Sequence, residues 1–232
     1  MEVGPVFGAL IAMTVLPVVV LLAVVLPLSI RAERARKATL WQWATARGWT
    51  FAEGGRARWT ARLPGRNSRG LGVTMTGQLG GRWVTVAEYS YQTTSSSSTT
   101  RTSPTRTSTT RTSTHHFVVV LVLLDRAYPP VAVHSRGLLS QLGRAIFGDK
   151  PTATGNVLFD AQYRIVTSDP ACAKALVGPA LIEAHIARAV PHWSVVGAEL
   201  LTCTPTSGRL RDPNLIPGYA APLLRVAELL GR

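Results

Sequence analysis

The sequence is poor in acid, in lysine and in cysteine, and over one long stretch it carries no charge at all. Asp and Glu number 12 in 232 residues against 25 Lys and Arg, for a net charge of +13. Paired-carboxylate chemistry therefore has little to draw on: Asp125, Asp160, Glu183 and Glu199 stand isolated, and no two share a face of one element. The two cysteines, Cys172 and Cys203, lie far apart without Cys-x-x-Cys spacing. That argues against a disulfide scaffold and fits a reducing compartment, with both thiols as small buried hydrophobes. Serine and threonine abound, but no Gly-x-Ser-x-Gly elbow accompanies them. Gly54-Gly55 and Gly80-Gly81 lack the strand-to-helix context and the Lys-Ser/Thr of a phosphate loop. His115 and His116 have no metal-ligand partners near them in sequence, and His185 borders an apolar stripe as a satisfied, semi-buried side chain. The reading is of no enzyme, no cofactor and no metal.

No charged side chain occurs from Val3 to Ile30. A bilayer core of about 30 Å is spanned by roughly 20 apolar helical residues, so residues 4–30 are expected to form a transmembrane helix behind a short tail, 1–3. Pro5 and Pro27 sit near its ends, and Pro17 would kink its middle. A cleavable signal peptide would need a basic n-region, a shorter apolar run and a small-residue cleavage site; the run here starts from Glu2 and ends directly in RAERARK. Arg31, Arg34, Arg36 and Lys37 against Glu2 on the other flank put the N-terminus outside and the rest in the cytoplasm. The expected localisation is the cell membrane, single-pass. Gly4, Gly8 and Ala12 form a small-xxx-small series through which two copies would approach as a homodimer.

The positive charge is unevenly placed. Residues 31–114 hold 14 Arg or Lys against 3 Glu, a net +11. Anionic lipid headgroups attract such a segment by about 1 kcal/mol per nearby basic residue. Nucleic acid is the rival partner for so basic a chain, but no helix-turn-helix, RNP or zinc-finger pattern supports it. With 22 of the 25 basic residues being Arg, GC-rich coding is a third source of the bias.

Downstream, 31–48 reads as a basic juxtamembrane helix stopped at Gly48, followed by a domain over 49–232. Strands are expected at 49–53, in LGVTMTG and in RWVTVAEYSYQ, with one helical turn near RARWTARL. Residues 93–114 are Ser or Thr at 18 of 22 positions and are expected to be a disordered loop. Its Arg-x-Ser/Thr spacing makes Thr102, Ser103, Thr107, Ser108, Thr112 and Ser113 candidate phosphorylation sites, against the plainer origin of repeat slippage. FVVVLVLL (117–124) reads as a central buried strand hairpinned with 82–92 across that loop. A short strand at VAVH, a helix at GLLSQLGRAIFG and a strand within 156–169 follow. Asp169 caps a helix that breaks and restarts at Gly178-Pro179. WSVVGAELLTCT reads as strands or one strand bulged at Gly197, Asp160 as an ion-pair partner of Arg164, and Pro222 as the start of a closing amphipathic helix. The fold class is α+β: one N-terminal transmembrane helix, then a largely antiparallel sheet packed on helices.

Taken together, WATARGW (43–49), EYSYQ, FDAQYRIVTSDPACAKALVGPAL (159–181) and WSVVGAELLTC (193–203) resemble a family of membrane-anchored actinobacterial proteins of unknown function. The resemblance implies a single-pass membrane protein and carries over no catalytic residue. The expected function is a membrane-tethered binding or scaffolding module with a protein partner. A phosphorylation-regulated membrane-surface adaptor and a cryptic membrane-bound hydrolase are the alternatives.

Overall fold

The computed structural model describes residues 4–65, 67, 70–98, 108–136 and 151–232, without the side chains of 4–24, 96–98, 108, 109 and 151. The chain divides into a helical unit ending at Trp43 and a second unit, Ala44–Arg232. Helix α1 runs from Gly4 to Ala46. It stops where Gly48 takes a positive φ of 69° and its N–H reaches the Thr45 carbonyl, a left-handed cap that Gly adopts without strain. Among the described residues, no helix is long and apolar enough to cross a membrane, so the transmembrane helix expected over residues 4–30 is not supported by the structure.

The second unit is a seven-stranded antiparallel sheet packed against helices. Its strands are β1 (Thr50–Glu53), β2 (Val73–Leu79), β3 (Arg82–Ser98), β4 (Ser108–Ser135), β5 (Pro151–Thr152), β6 (Tyr163–Thr167) and β7 (Trp193–Thr206). The spatial order is β1-β2-β3-β4-β6-β5, with β7 on the other edge of β4. Gly80-Gly81 form the tight turn between β2 and β3, at φ 59° and 73°, which explains the glycine pair that had no phosphate-loop context.

Strand β4 is the spine. Its first part lies between β3 and β7; past Leu123 the register breaks, and from Val131 it lies between β6 and β7. Pro129 and Pro130 fall in that break, where two residues without N–H interrupt a ladder at least cost. The VAVH segment is therefore a continuation of β4 rather than a separate strand. The irregularity expected at Gly197 sits mainly on β4 instead: Leu123 pairs with Glu199 and Tyr128 with Gly197, so the extra residues are on the β4 side.

Both faces of the central run are buried, as a continuous β-branched segment requires. On one face Ala87, Tyr89, Val119, Leu121 and Leu201 form a cluster closed by Trp59, Leu63 and Leu71 from the segment around the 3₁₀ turn Arg58–Arg62. On the other, Val84, Val86, Val118, Val120, Val122 and Leu200 are buried, and the C-terminal helix packs over β4, β7 and β3. The helices of this unit are α2 (Val157–Gln162), α3 (Pro170–Leu176), α4 (Pro179–Ile186) and α5 (Ile216–Leu229). Asp169 caps α3 as expected, accepting from the Ala171 and Cys172 N–H groups at 3.1 and 3.0 Å. Helix α5 begins six residues before Pro222, which lies inside it, because Pro217 occupies the first turn where a missing N–H costs nothing.

The Ser/Thr segment is more ordered than its composition suggests. The β3–β4 ladder continues without a break from Val84↔Val122 to Ser98↔Ser108. Thus 93–98 and 108–114 are strand rather than disordered loop, and 99–107 lie outside the described residues. Threonine is a strong strand former, and a hairpin already registered by its apolar half extends at little further entropic cost. The helix expected over GLLSQLGRAIFG also lies outside the described residues.

Candidate functional site

The four juxtamembrane cations do not act as one patch. Arg31 and Arg34 are exposed and share a face of α1 at i, i+3 spacing. Arg36 is turned along the helix onto Glu33, with N–O distances of 2.8 and 3.1 Å, and its side chain is only 9% exposed. Lys37 is half-buried. Gly4, Gly8 and Ala12 lie on the helix backbone, with side chains beyond the description. Of the phosphorylation candidates, Thr102, Ser103 and Thr107 lie outside the described residues. Ser108, Thr112 and Ser113 are ladder residues opposite Ser98, Thr94 and Thr93.

A groove opens instead at a place the sequence did not single out, between β7 and α5. The connecting residues 206–212 arch over the row Glu88–Val118–Thr204, which runs across β3, β4 and β7. The cavity has a volume of about 460 Å³, within the range of small-molecule sites. Its floor is Val118 and Leu210, its wall Leu215 and Tyr219, and its rim Arg209 and Arg211. Glu88, only 8% exposed, holds the arch in place. Its Oε1 accepts from the Leu210 N–H at 2.9 Å and its Oε2 from the Val73 N–H at 3.4 Å. A buried carboxylate is stable only when its oxygens are so occupied, which makes this acid a structural clamp. The one sequence signal for it is an acidic residue at an inward position of an apolar strand; the partner lies 122 residues away.

A second polar group sits at the opposite end of β4. His185 is fully buried beside Phe159 and Tyr163, with ring centroids at 5.6 and 4.9 Å, and is not semi-buried as its sequence position suggests. Its Nε2 accepts from Trp193 Nε1 at 3.0 Å, while Nδ1 has no partner. Tyr163 donates its hydroxyl to the His185 carbonyl at 2.8 Å. Burial, with a smaller contribution from His192, pushes both His185 and His134 down to about 4; His192 is lowered by burial alone. His192 also meets the Tyr163 ring, with centroids 6.0 Å apart, so His185 and His192 both sit against aromatic rings. No group of three or more His, Cys, Asp or Glu able to hold a metal occurs among the described residues.

Two polar expectations change. Asp160 is not paired with Arg164: burial raises its carboxyl, but hydrogen bonds from the Thr154 N–H and hydroxyl and the Gly155 N–H, all at 3.0 Å, outweigh that and hold it low. Glu199, isolated in sequence, is held by Arg62, whose Nη2 lies 3.0 Å from Glu199 Oε2 and whose Nη1 donates to the Glu199 carbonyl at 3.0 Å. Burial lowers the Arg62 guanidinium and the Glu199 charge opposes it. The side chain of Arg62 is 3% exposed, so the pair ties the covering segment to β7. Cys172 and Cys203 are both free thiols, and burial pushes Cys203 up to about 12.

The class these elements define is an antiparallel α+β domain with a side groove. No protein family and no curated protein matches the chain. Among solved structures, the fold is similar to the crystal structure of the mycobacterial trehalose monomycolate transport factor A, TtfA. The TM-score is 0.51 at 9% identity, over 84% of this chain and 92% of that one. At that identity the likeness shows the fold alone.

Proposed function

We propose that the chain is a single-pass membrane protein whose globular unit is a binding or scaffolding module on the cytoplasmic side. The observation that carries the tether is the run of residues 4–30, which bears no charge and belongs throughout to one continuous helix. The support is in the sequence, where a charge-free stretch of this length at about 1.5 Å per helical residue would reach roughly 40 Å against a bilayer core of about 30 Å. The exposed Arg31 and Arg34 at its inner end favour an N-out, C-in orientation and the anionic leaflet. The globular unit supports binding: it has an open groove of about 460 Å³ whose arch is held by the buried Glu88. The fold neighbour is named as a transport factor, a role in keeping with an accessory module that holds a partner.

Alkaline carbonate extraction and terminal reporters test the tether. The chain should stay in the membrane pellet, with a C-terminal reporter active only in the cytoplasm; release into the supernatant refutes it. Replacing Arg31, Arg34, Arg36 and Lys37 with Glu should invert or scramble the orientation. An unchanged reporter would show that these charges do not set it.

A further inference from the structure

We propose that the groove between β7 and α5 binds a single-chain amphiphile with an anionic head, a carboxylate or a phosphate. The proposal deepens the binding-module reading by naming the ligand chemistry of its site. The groove is apolar below and cationic above. Along the arch, Leu210 points inward at 5% exposure while its neighbours Arg209 and Arg211 are exposed, so both guanidiniums stand on the same rim. The backbone between them is held where the Leu210 N–H donates to Glu88. Asp212 also lines the groove, where its carboxylate accepts from the Asn214 N–H at 2.9 Å and caps the next turn, so the lining holds two arginines against one carboxylate. Guanidinium groups recognise carboxylate and phosphate through paired N–H donors.

The wall supports a chain rather than a bare anion. Leu215 is 51% exposed although large and apolar, and it faces the same cavity as the half-buried Tyr219 and the buried Val118. An alkyl chain lying there removes Leu215 from water, which is the driving force an inorganic ion lacks. A methylene takes up about the room of a water molecule, roughly 30 Å³. The 460 Å³ cavity therefore holds a head group and on the order of ten carbons.

The test uses the full chain in phosphatidylcholine nanodiscs, with dansyl-undecanoate as the fluorescent probe and empty nanodiscs subtracted. Decanoate and decyl phosphate should displace the probe, and decyl maltoside should not. Arg211→Ala should weaken displacement at least tenfold, and Leu215→Trp, which fills the wall at an exposed position, should abolish it. Circular dichroism checks that both variants keep the fold. Adding phosphatidylglycerol to the disc separates two sources of the same chemistry. Competition by it points to a bilayer lipid, and its absence to an amphiphile from solution. Equal displacement by decyl maltoside, or wild-type binding by both variants, overturns the proposal. A chain released by carbonate would refute the tether, and the same titration then runs on the released chain without nanodiscs, so the two failures are distinguishable.

Discussion

Acidification should unfold the globular unit through the nest around His185, and the size of the effect follows from its geometry. Because Nε2 accepts the Trp193 indole N–H at 3.0 Å, the neutral ring carries its proton on Nδ1. Protonating Nε2 would set two donors head to head inside a fully buried site. Tyr163 and Phe159 offer rings on one side, His192 approaches from the start of β7, and Arg164 stands opposite His134 in the β4–β6 register. Nothing anionic is therefore placed to compensate a new charge. The folded value is about 4 against an ordinary 6.5, so the unfolded chain binds the proton first. Stability is then fully present above the ordinary value and is lost as pH falls from there toward 4. At pH 5 the loss from one such group is about 2 kcal/mol. His134, also at about 4 but partly exposed, adds a smaller amount. Urea titrations of the detergent-solubilised chain at pH 7.5 and 5, followed by tryptophan fluorescence, should show this fall. His185→Gln keeps an acceptor for Trp193 but does not titrate, so it should flatten the dependence by that amount. Equal stability at the two pH values, or an unchanged slope in the variant, would refute the reasoning.

Three further outcomes follow from close contacts. A Cβ at Gly77 would lie 2.3 Å from the Trp49 ring, so Gly77→Ala should cost about 1–3 kcal/mol in a urea titration and shift Trp49 emission. Glu88→Ala strands the Val73 and Leu210 N–H groups and should cost about 2 kcal/mol or more. Glu88→Gln, which can still accept one of the two bonds, should lose less. Arg62→Ala removes a buried guanidinium but leaves a Glu199 carboxylate that is 40% exposed to water, so it should destabilise by about 1–2 kcal/mol, and the joint replacement Arg62→Met with Glu199→Leu should recover most of that. A double variant as unstable as the single one would show that the pair does more than neutralise itself.

What sequence alone could show was whatever is local. The β-branched run 117–124 declared a strand buried on both faces because no alternation survived in it, and Asp169-Pro170 and Gly48 marked helix ends through their own backbone chemistry. The Ser/Thr stretch misled because composition measures what a segment can bury, whereas here the register of the apolar half carries the ladder on to Ser98↔Ser108. His185 misled because Trp193 and Phe159, which contact it, lie on other elements. The groove was invisible for the same reason on a larger scale. Arg209, Leu210 and Arg211 read as an unremarkable loop until Glu88 is known to sit beneath them.

Glu88 is also where fold and proposed function meet. In the row Glu88–Val118–Thr204, an apolar residue at position 88 would bury area without a desolvation cost, and nothing in the pairing of β3 demands an acid there. The carboxylate accepts from the buried N–H groups of Val73 and Leu210. One of those donors belongs to the arch that carries both rim arginines. A buried acid is a poor source of net stability but a strong specifier of one geometry, because every alternative placement of the arch leaves its charge unsatisfied. A backbone held between Arg209 and Arg211 is what a binding groove needs and what a bare connection between a strand and a helix does not. The clamp is thus the part of the structure that stability alone explains least and a binding role explains best.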